Sequence, residues 1–376
     1  MADADETTTT DPVERRFLAL RGCERQLSGV RPQSLAERLA DLSGDAGRAA
    51  YDLDGRSDVY GDGIVAALED RVAELLGTEA AAFFPTGTMA QQVALRCWAE
   101  RTGNDLVAMH PLAHPEVHER HAYAQLSDLR SVWPTTAPRL PTASEVADCG
   151  EPFGTLMLEL PLRDAGFVLP SWAELTATVQ AARDRDAVVH FDGARLWETV
   201  RHFGVPLREI AELADSVYVS FYKTLGGVSG AALAGPTDFV AQAKAWRHRY
   251  GGQLFQQWPA ALAALIGLDR EIPRLDDYVV HAKQVALALA TAPGSRVHPA
   301  VPQTHQFQFW LPFTAEALNE ATLRQAEETK RALFGGWRDS PVPGLALTEI
   351  TVADPALDWS PQEIADALTE FLSLLG

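Results

Sequence analysis

From Ile64 onward the hydrophobic and polar positions fall into a repeating order. Val65, Leu68, Val72, Leu75 and Leu76 are spaced as one face of a helix, which Gly77 closes. Ala80–Phe84 is a short apolar run ended by Pro85-Thr86-Gly87-Thr88, and a second helical pattern starts at once through Met89, Val93, Leu95 and Trp98. Strand, tight glycine turn and helix together form the building unit of an α/β sheet. The alternation predicts further strands at 106–109, 155–160, 187–191, 216–221 and 231–234. Ser171-Trp-Ala-Glu174 is a capping box that starts a helix running to about Arg185.

After Pro259 the pattern changes. A long helical stretch over 260–292, broken at Pro273, leads to a strand at 306–311. Two helices follow, over 315–333 and 361–375, the second opened by the capping box Ser360…Glu363. The order implies a polar, disordered tail over 1–14 and an N-terminal segment over 15–57 that packs on the last domain and holds a helix at 35–42. A large α/β domain with a mostly parallel sheet follows over 58–268, and a smaller C-terminal α+β domain over 269–376.

Charge and composition narrow the function. In 376 residues, 32 Lys and Arg face 51 Asp and Glu, a net charge of −19. So acidic a surface repels phosphate backbones and anionic lipid, which excludes nucleic acid and membrane as expected partners. The start lacks the basic and apolar stretches of a signal peptide, and no run approaches the ~20 residues that span a bilayer. Cys23, Cys97 and Cys149 are scattered without a CxxC pair, as in a reduced, cytoplasmic protein. Only four lysines occur, Lys223, Lys244, Lys283 and Lys330, so a lysine in a chemical setting stands out.

Such a setting exists. Val188-Val-His190-Phe-Asp192-Gly-Ala-Arg195 is a buried-type strand running into a carboxylate, a glycine and an arginine. Ser216-Val-Tyr-Val-Ser-Phe-Tyr-Lys223 is a strand that delivers a lysine to the turn Gly226-Gly227. Ligands of open α/β sheets bind beyond the carboxyl ends of the strands, where Asp192, Lys223 and the helix opening at Thr86-Gly87-Thr88 should meet. A lysine amine forms a Schiff base with an aldehyde cofactor, and an aspartate keeps a pyridine nitrogen protonated. A helix N-terminus holds a phosphate. Singly, Asp192 reads as a turn cap and Lys223 as a solvated lysine; in this order they make one chemical set.

Asp58-Val-Tyr60-Gly-Asp, Phe84-Pro-Thr-Gly-Thr-Met-Ala, His190-Phe-Asp-Gly-Ala-Arg and the Lys223 strand resemble the threonine aldolase and beta-eliminating lyase branch of the fold-type-I pyridoxal phosphate enzymes. The resemblance covers about residues 58–252 and implies pyridoxal 5′-phosphate as cofactor. By it, Lys223 carries the cofactor, Asp192 faces its pyridine nitrogen, and Thr86, Gly87 and Thr88, with Ser220, hold its phosphate. Arg195 grips the substrate carboxylate, for which a planar guanidinium is suited. Tyr60 is the active-site tyrosine, often placed at a subunit interface, so a homodimer or homotetramer is implied.

Of His110, His114, His118 and His121, the resemblance makes His114 the ring stacked on the cofactor, with Glu119 five residues on. His118 falls where the family often has tyrosine and is a substrate-binding candidate. Pro111 and Pro115 prevent one helix through all four, so no metal site is expected, and His118 and His121 are read as sharing one regular face. Three departures stand out. Trp310 occupies the approximate place of a small-domain arginine, with Arg21, Arg25 and His305 as candidate replacements. Gly251-Gly252-Gln-Leu-Phe255 lacks the usual arginine, and Leu20-Arg21-Gly22-Cys23 replaces an Arg-Ser-Asp-Thr string.

The implied activity is aldol cleavage of a β-hydroxy-α-amino acid to glycine and an aldehyde, with Lys223, His114, Asp192 and Glu119 as catalytic candidates. β-Elimination or β-replacement on a serine- or cysteine-like amino acid is the second reading. A non-catalytic interaction protein on the same scaffold is the third, opposed by the retained lysine and aspartate.

Overall fold

The computed structural model describes residues 11–375. The tail expected over 1–14 ends sooner, because Asp11 caps a helix, Pro12–Arg21, by accepting the Val13 N–H at 3.1 Å. Residues 1–10 of that tail lie outside the described residues. The chain forms two compact units, 40–276 and a second that joins the chain up to Leu39 to the part from Asp277 onward. The stretch 15–57 is thus shared between the units, and the second division falls at 276/277, not 268/269.

The larger unit holds a seven-stranded sheet: β1 (Ala80–Phe84), β2 (Leu106–Ala108), β3 (Arg130–Val132), β4 (Thr155–Glu159), β5 (Val188–Gly193), β6 (Ser216–Ser220) and β7 (Ala231–Gly235). Their order is β1-β7-β6-β5-β4-β2-β3. Neighbours from β6 through β3 pair in parallel, and β7 is antiparallel to both β6 and β1. β4, β6 and β7 are buried along their whole length, as in a sheet covered on both faces. That is why their sequences are continuous apolar runs and not alternating ones. Six of the seven strands match the apolar runs. β3 does not, because Arg130-Ser-Val is a three-residue edge strand with no run to see.

Helix α1 (Ile64–Leu76) ends at Gly77, whose φ of +70° is the left-handed stop its sequence announces. Helix α2 (Gly87–Thr102) packs Ala90, Val93, Ala94, Cys97 and Trp98 against Phe84, Leu233 and Phe239. Helix α3 (Trp172–Arg183) has the expected capping box at Ser171 and Glu174. The break at Pro273 is a 3-10 turn between Trp258–Glu271 and Leu275–Leu289.

In the second unit an antiparallel sheet runs in the order Arg338–Asp339, Ala346–Thr351, Gln306–Leu311, Arg296–His298. The N-terminal segment packs here: Arg25–Gln26 pairs with Arg331–Ala332, and Arg15 bridges Glu320 and Glu327 at 2.9 and 2.8 Å. Among the described residues, no helix is long and apolar enough to cross a membrane.

Candidate active site

Near their carboxyl ends three adjacent strands bring three polar residues side by side. Glu159 closes β4 opposite Asp192 of β5, and Asp192 lies opposite Tyr218 of β6. Beyond Ser220 the chain turns back: the Gly227 N–H donates to the Phe221 carbonyl at 2.8 Å and the Gly226 N–H to the Lys223 carbonyl at 3.2 Å. Gly226 has φ +67°, and a Cβ on Gly227 would lie 2.7 Å from the Phe221 carbonyl oxygen. The two glycines therefore make the turn that presents Lys223. Burial, then the Arg195 guanidinium, brings the Lys223 amine down to about 8, against the opposing charges of Asp192 and Glu159. The amine thus sits within electrostatic reach of Asp192. That carboxylate is buried and accepts the Ala194 N–H at 3.1 Å.

At the anion end, Thr86 caps α2 by accepting the Met89 N–H at 3.2 Å. A Cβ on Gly87 would come within 2.2 Å of the Tyr218 hydroxyl oxygen, so only glycine lets the first turn approach the β6 edge. The Ser220 hydroxyl donates to the Ala194 carbonyl at 3.0 Å and is buried. To donate to a phosphate it would have to leave that partner. Arg195 has its guanidinium 5.3 Å from the Phe167 ring centroid, and its Nε is buried without a partner among the described residues.

The histidines separate into distinct settings. His114 opens a four-residue helix, its N–H donating to Glu159 Oε2 at 2.8 Å. Its Nδ1 lies 3.2 Å from Glu119 Oε1, while Glu119 Oε2 accepts from Gln92 at 2.7 Å. Burial pulls the His114 imidazolium down, but the Glu119 hydrogen bond and the Asp192 charge outweigh it, and the net shift is upward. His118 meets Asp164, Nε2 to Oδ2, at 2.6 Å. The regular face expected for His118 and His121 is absent: Arg120 and His121 both have φ +54° and interrupt the helix. His110 is turned away to the Ala137 carbonyl, 2.7 Å from Nε2.

Tyr60 is exposed, with φ +52°. Its N–H donates to the Phe255 carbonyl at 2.9 Å, its carbonyl accepts from Gln253 at 2.8 Å, and its ring meets Phe255 edge-on at 5.5 Å. The 251–255 segment that lacks an arginine thus grips the Tyr60 loop. Asp58 completes the tie by accepting the N–H groups of Gln257 and Trp258 at 2.9 and 2.8 Å. In the second unit, Arg21 pairs with Glu37, Arg25 with Glu363, and His305 with the Val352 carbonyl. All three candidate replacements for an arginine at Trp310 thus have partners.

Glu159 escaped sequence reasoning. Its carboxyl accepts backbone N–H groups from both His114 (2.8 Å) and Arg163 (3.2 Å). Burial, then the neighbouring Asp192 charge, raises it to about 7. The signal available was its place at the end of a buried run, one strand from Asp192.

A model of the beta-eliminating lyase family matches residues 47–310. The low specificity L-threonine aldolase of Escherichia coli (strain K12) is 34% identical over 227 residues, 58% of this chain and 67% of that protein. The low-specificity L-threonine aldolase 1 of Arabidopsis thaliana is 28% identical over 311 residues, 79% and 86% of the two chains. A solved structure from Listeria monocytogenes EGD-E, which carries the name of an L-allo-threonine aldolase, superposes with a TM-score of 0.87. It is 32% identical and covers 95% of this chain and 99% of its own. Fold and site together define a fold-type-I, pyridoxal phosphate-dependent lyase. The chain belongs to the beta-eliminating lyase family.

The residues present fit that cofactor. A lysine and an aspartate share one sheet edge, the α2 N-terminus is brought against that edge at the Tyr218 hydroxyl by a glycine, and a buried guanidinium nitrogen lacks a partner among the described residues.

Proposed function

We propose that the chain cleaves the Cα–Cβ bond of a β-hydroxy-α-amino acid, releasing glycine and an aldehyde. The observation that carries this reading is the His114–Glu119 pair, a carboxylate-held imidazole within electrostatic reach of both Asp192 and Lys223. Cleavage turns the β-hydroxyl into a carbonyl, so its proton must leave as the Cα–Cβ electron pair withdraws onto Cα. An imidazole of the 114–118 segment takes that proton, directly or through a water. The names of the similar proteins point the same way.

Pyridoxal phosphate, when bound, supplies the electron sink for the withdrawn pair. Lys223 offers the amine that holds its aldehyde carbon, and Asp192 keeps its ring nitrogen protonated. Gly87 and Thr88 N–H groups, with the Thr86 and Thr88 hydroxyls, hold its phosphate. His114 would pack against its ring. Arg195 uses its unpartnered edge on the substrate carboxylate, fixing which Cα bond is oriented for cleavage. Tyr60 and His118 approach the substrate from outside. The exposed aromatic pair Tyr60 and Phe255 suits burial in a homodimer or homotetramer, which sedimentation would register.

Incubation of the holoenzyme with L-threonine, L-allo-threonine and L-phenylserine tests the reading. Glycine and aldehyde in equal amounts are expected. A 2-oxo acid and ammonia without aldehyde would replace it with β-elimination.

A further inference from the structure

His114–Glu119 is not the only carboxylate-held imidazole at this edge. His118 Nε2 lies 2.6 Å from Asp164 Oδ2, and the His118 and His114 rings are 5.1 Å apart. The two carboxylates come from different segments of the chain. Glu119 belongs to the same segment as the histidines and is itself held by Gln92 of α2. Asp164 belongs to the turn after β4, which a Leu162–Val168 bridge closes and whose buried Phe167 lies beneath Arg195. Glu159 joins the turn to the histidine segment by accepting from both Arg163 and His114. The turn that places Asp164 is thus tied to the base of the site at one end and to the carboxylate-binding arginine at the other.

We propose that His118, oriented by Asp164, is the base that takes the β-hydroxyl proton, while His114 serves the cofactor ring. This rests on the aldol reading above and refines it. With Nε2–H donating to Asp164, the neutral ring presents Nδ1 as an acceptor, and Nδ1 has no partner among the described residues. The His118 side chain is 33% exposed, open to a substrate, whereas Asp164 is 12% exposed. In the step, the hydroxyl proton passes to Nδ1 and the O–H pair becomes the second bond of the new carbonyl. The Cα–Cβ bond breaks with its pair retained at Cα, and Cα then takes a proton to give glycine. The turn carrying Asp164 acts through His118, so Asp164 is a positioning residue.

Glycine lacks a β-hydroxyl but needs the same lysine, cofactor and carboxylate grip to exchange its α-proton. The experiment compares, for the holoenzyme, L-phenylserine cleavage with glycine α-proton exchange in deuterated water. For His118→Phe the ratio of cleavage to exchange should fall roughly 100-fold, the usual weight of a positioned base. Asp164→Asn should lower kcat for cleavage at least tenfold with little change in KM, because an amide that donates to Nε2 leaves the proton on Nδ1. Asp164→Glu should recover most of that loss. Cleavage and exchange falling in equal proportion, or cleavage unchanged in His118→Phe, overturns the proposal. Wild-type enzyme that exchanges glycine but cleaves no β-hydroxy amino acid would instead remove the aldol reading, and this assignment with it.

Discussion

Two residues before Asp192, His190 shows how the buried floor of the site is held. Trp98 Nε1 donates to Ser216 Oγ at 2.7 Å, the Ser216 hydroxyl donates to His190 Nδ1 at 2.7 Å, and His190 Nε2 donates to Gln91 Oε1 at 2.9 Å. This row requires a neutral ring, since a charged one has no acceptor for the serine proton. Burial lowers His190 to about 4. The unfolded chain, with histidine near 6.5, therefore binds this proton first, and stability falls as pH drops from 6.5 toward 4. The slope from one such proton is at most about 1.4 kcal/mol per pH unit. Urea unfolding of wild type and His190→Asn should show a stability gap that is widest at pH 7 and narrows as pH falls to 4.5. A gap independent of pH would refute the neutral row.

Residues also differ in how visible they are to sequence reading. Asp192 and Lys223 stand out because apolar runs lead into them and glycines follow. Glu159 and Asp164 do not, because what distinguishes them is set by other strands and turns. Glu159 owes its raised carboxyl first to burial by surrounding elements and then to the β4–β5 register that sets it opposite Asp192. Asp164 owes its partner to a turn whose path brings it beside a histidine 46 residues away.

At the scale of elements, the tie between the Tyr60 loop and helix Trp258–Glu271 depends on one buried carboxylate. Asp58 accepts two backbone N–H groups at the start of that helix, the service usually given by an N-cap. Asp58→Ala should cost about 2 kcal/mol in chemical denaturation, the upper range for a lost cap with donors left buried. It should also speed proteolysis near residue 60, and unchanged stability would show that the tie is incidental. Strands buried on both faces were legible because they read as unbroken apolar runs. Ala346–Thr351 was not, since its run is interrupted by Thr348 and Glu349 and gains its identity only by pairing with Gln306–Leu311.

For the molecule as a whole, the account reduces to one amine among four. Lys244 is held by Glu69. Lys223 is half-buried at the site, and burial with the Arg195 guanidinium lowers its amine to about 8 against the opposing charges of Asp192 and Glu159. An amine brought to about 8 is partly neutral near physiological pH and able to attack an aldehyde, whereas an ordinary lysine is almost wholly charged. Borohydride reduction of the pyridoxal phosphate-loaded protein, followed by peptide mass mapping, tests this directly. One cofactor-derived adduct on the peptide containing Lys223 is the predicted result. An adduct on Lys244, Lys283 or Lys330 in its place, or none at all, would contradict the assignment.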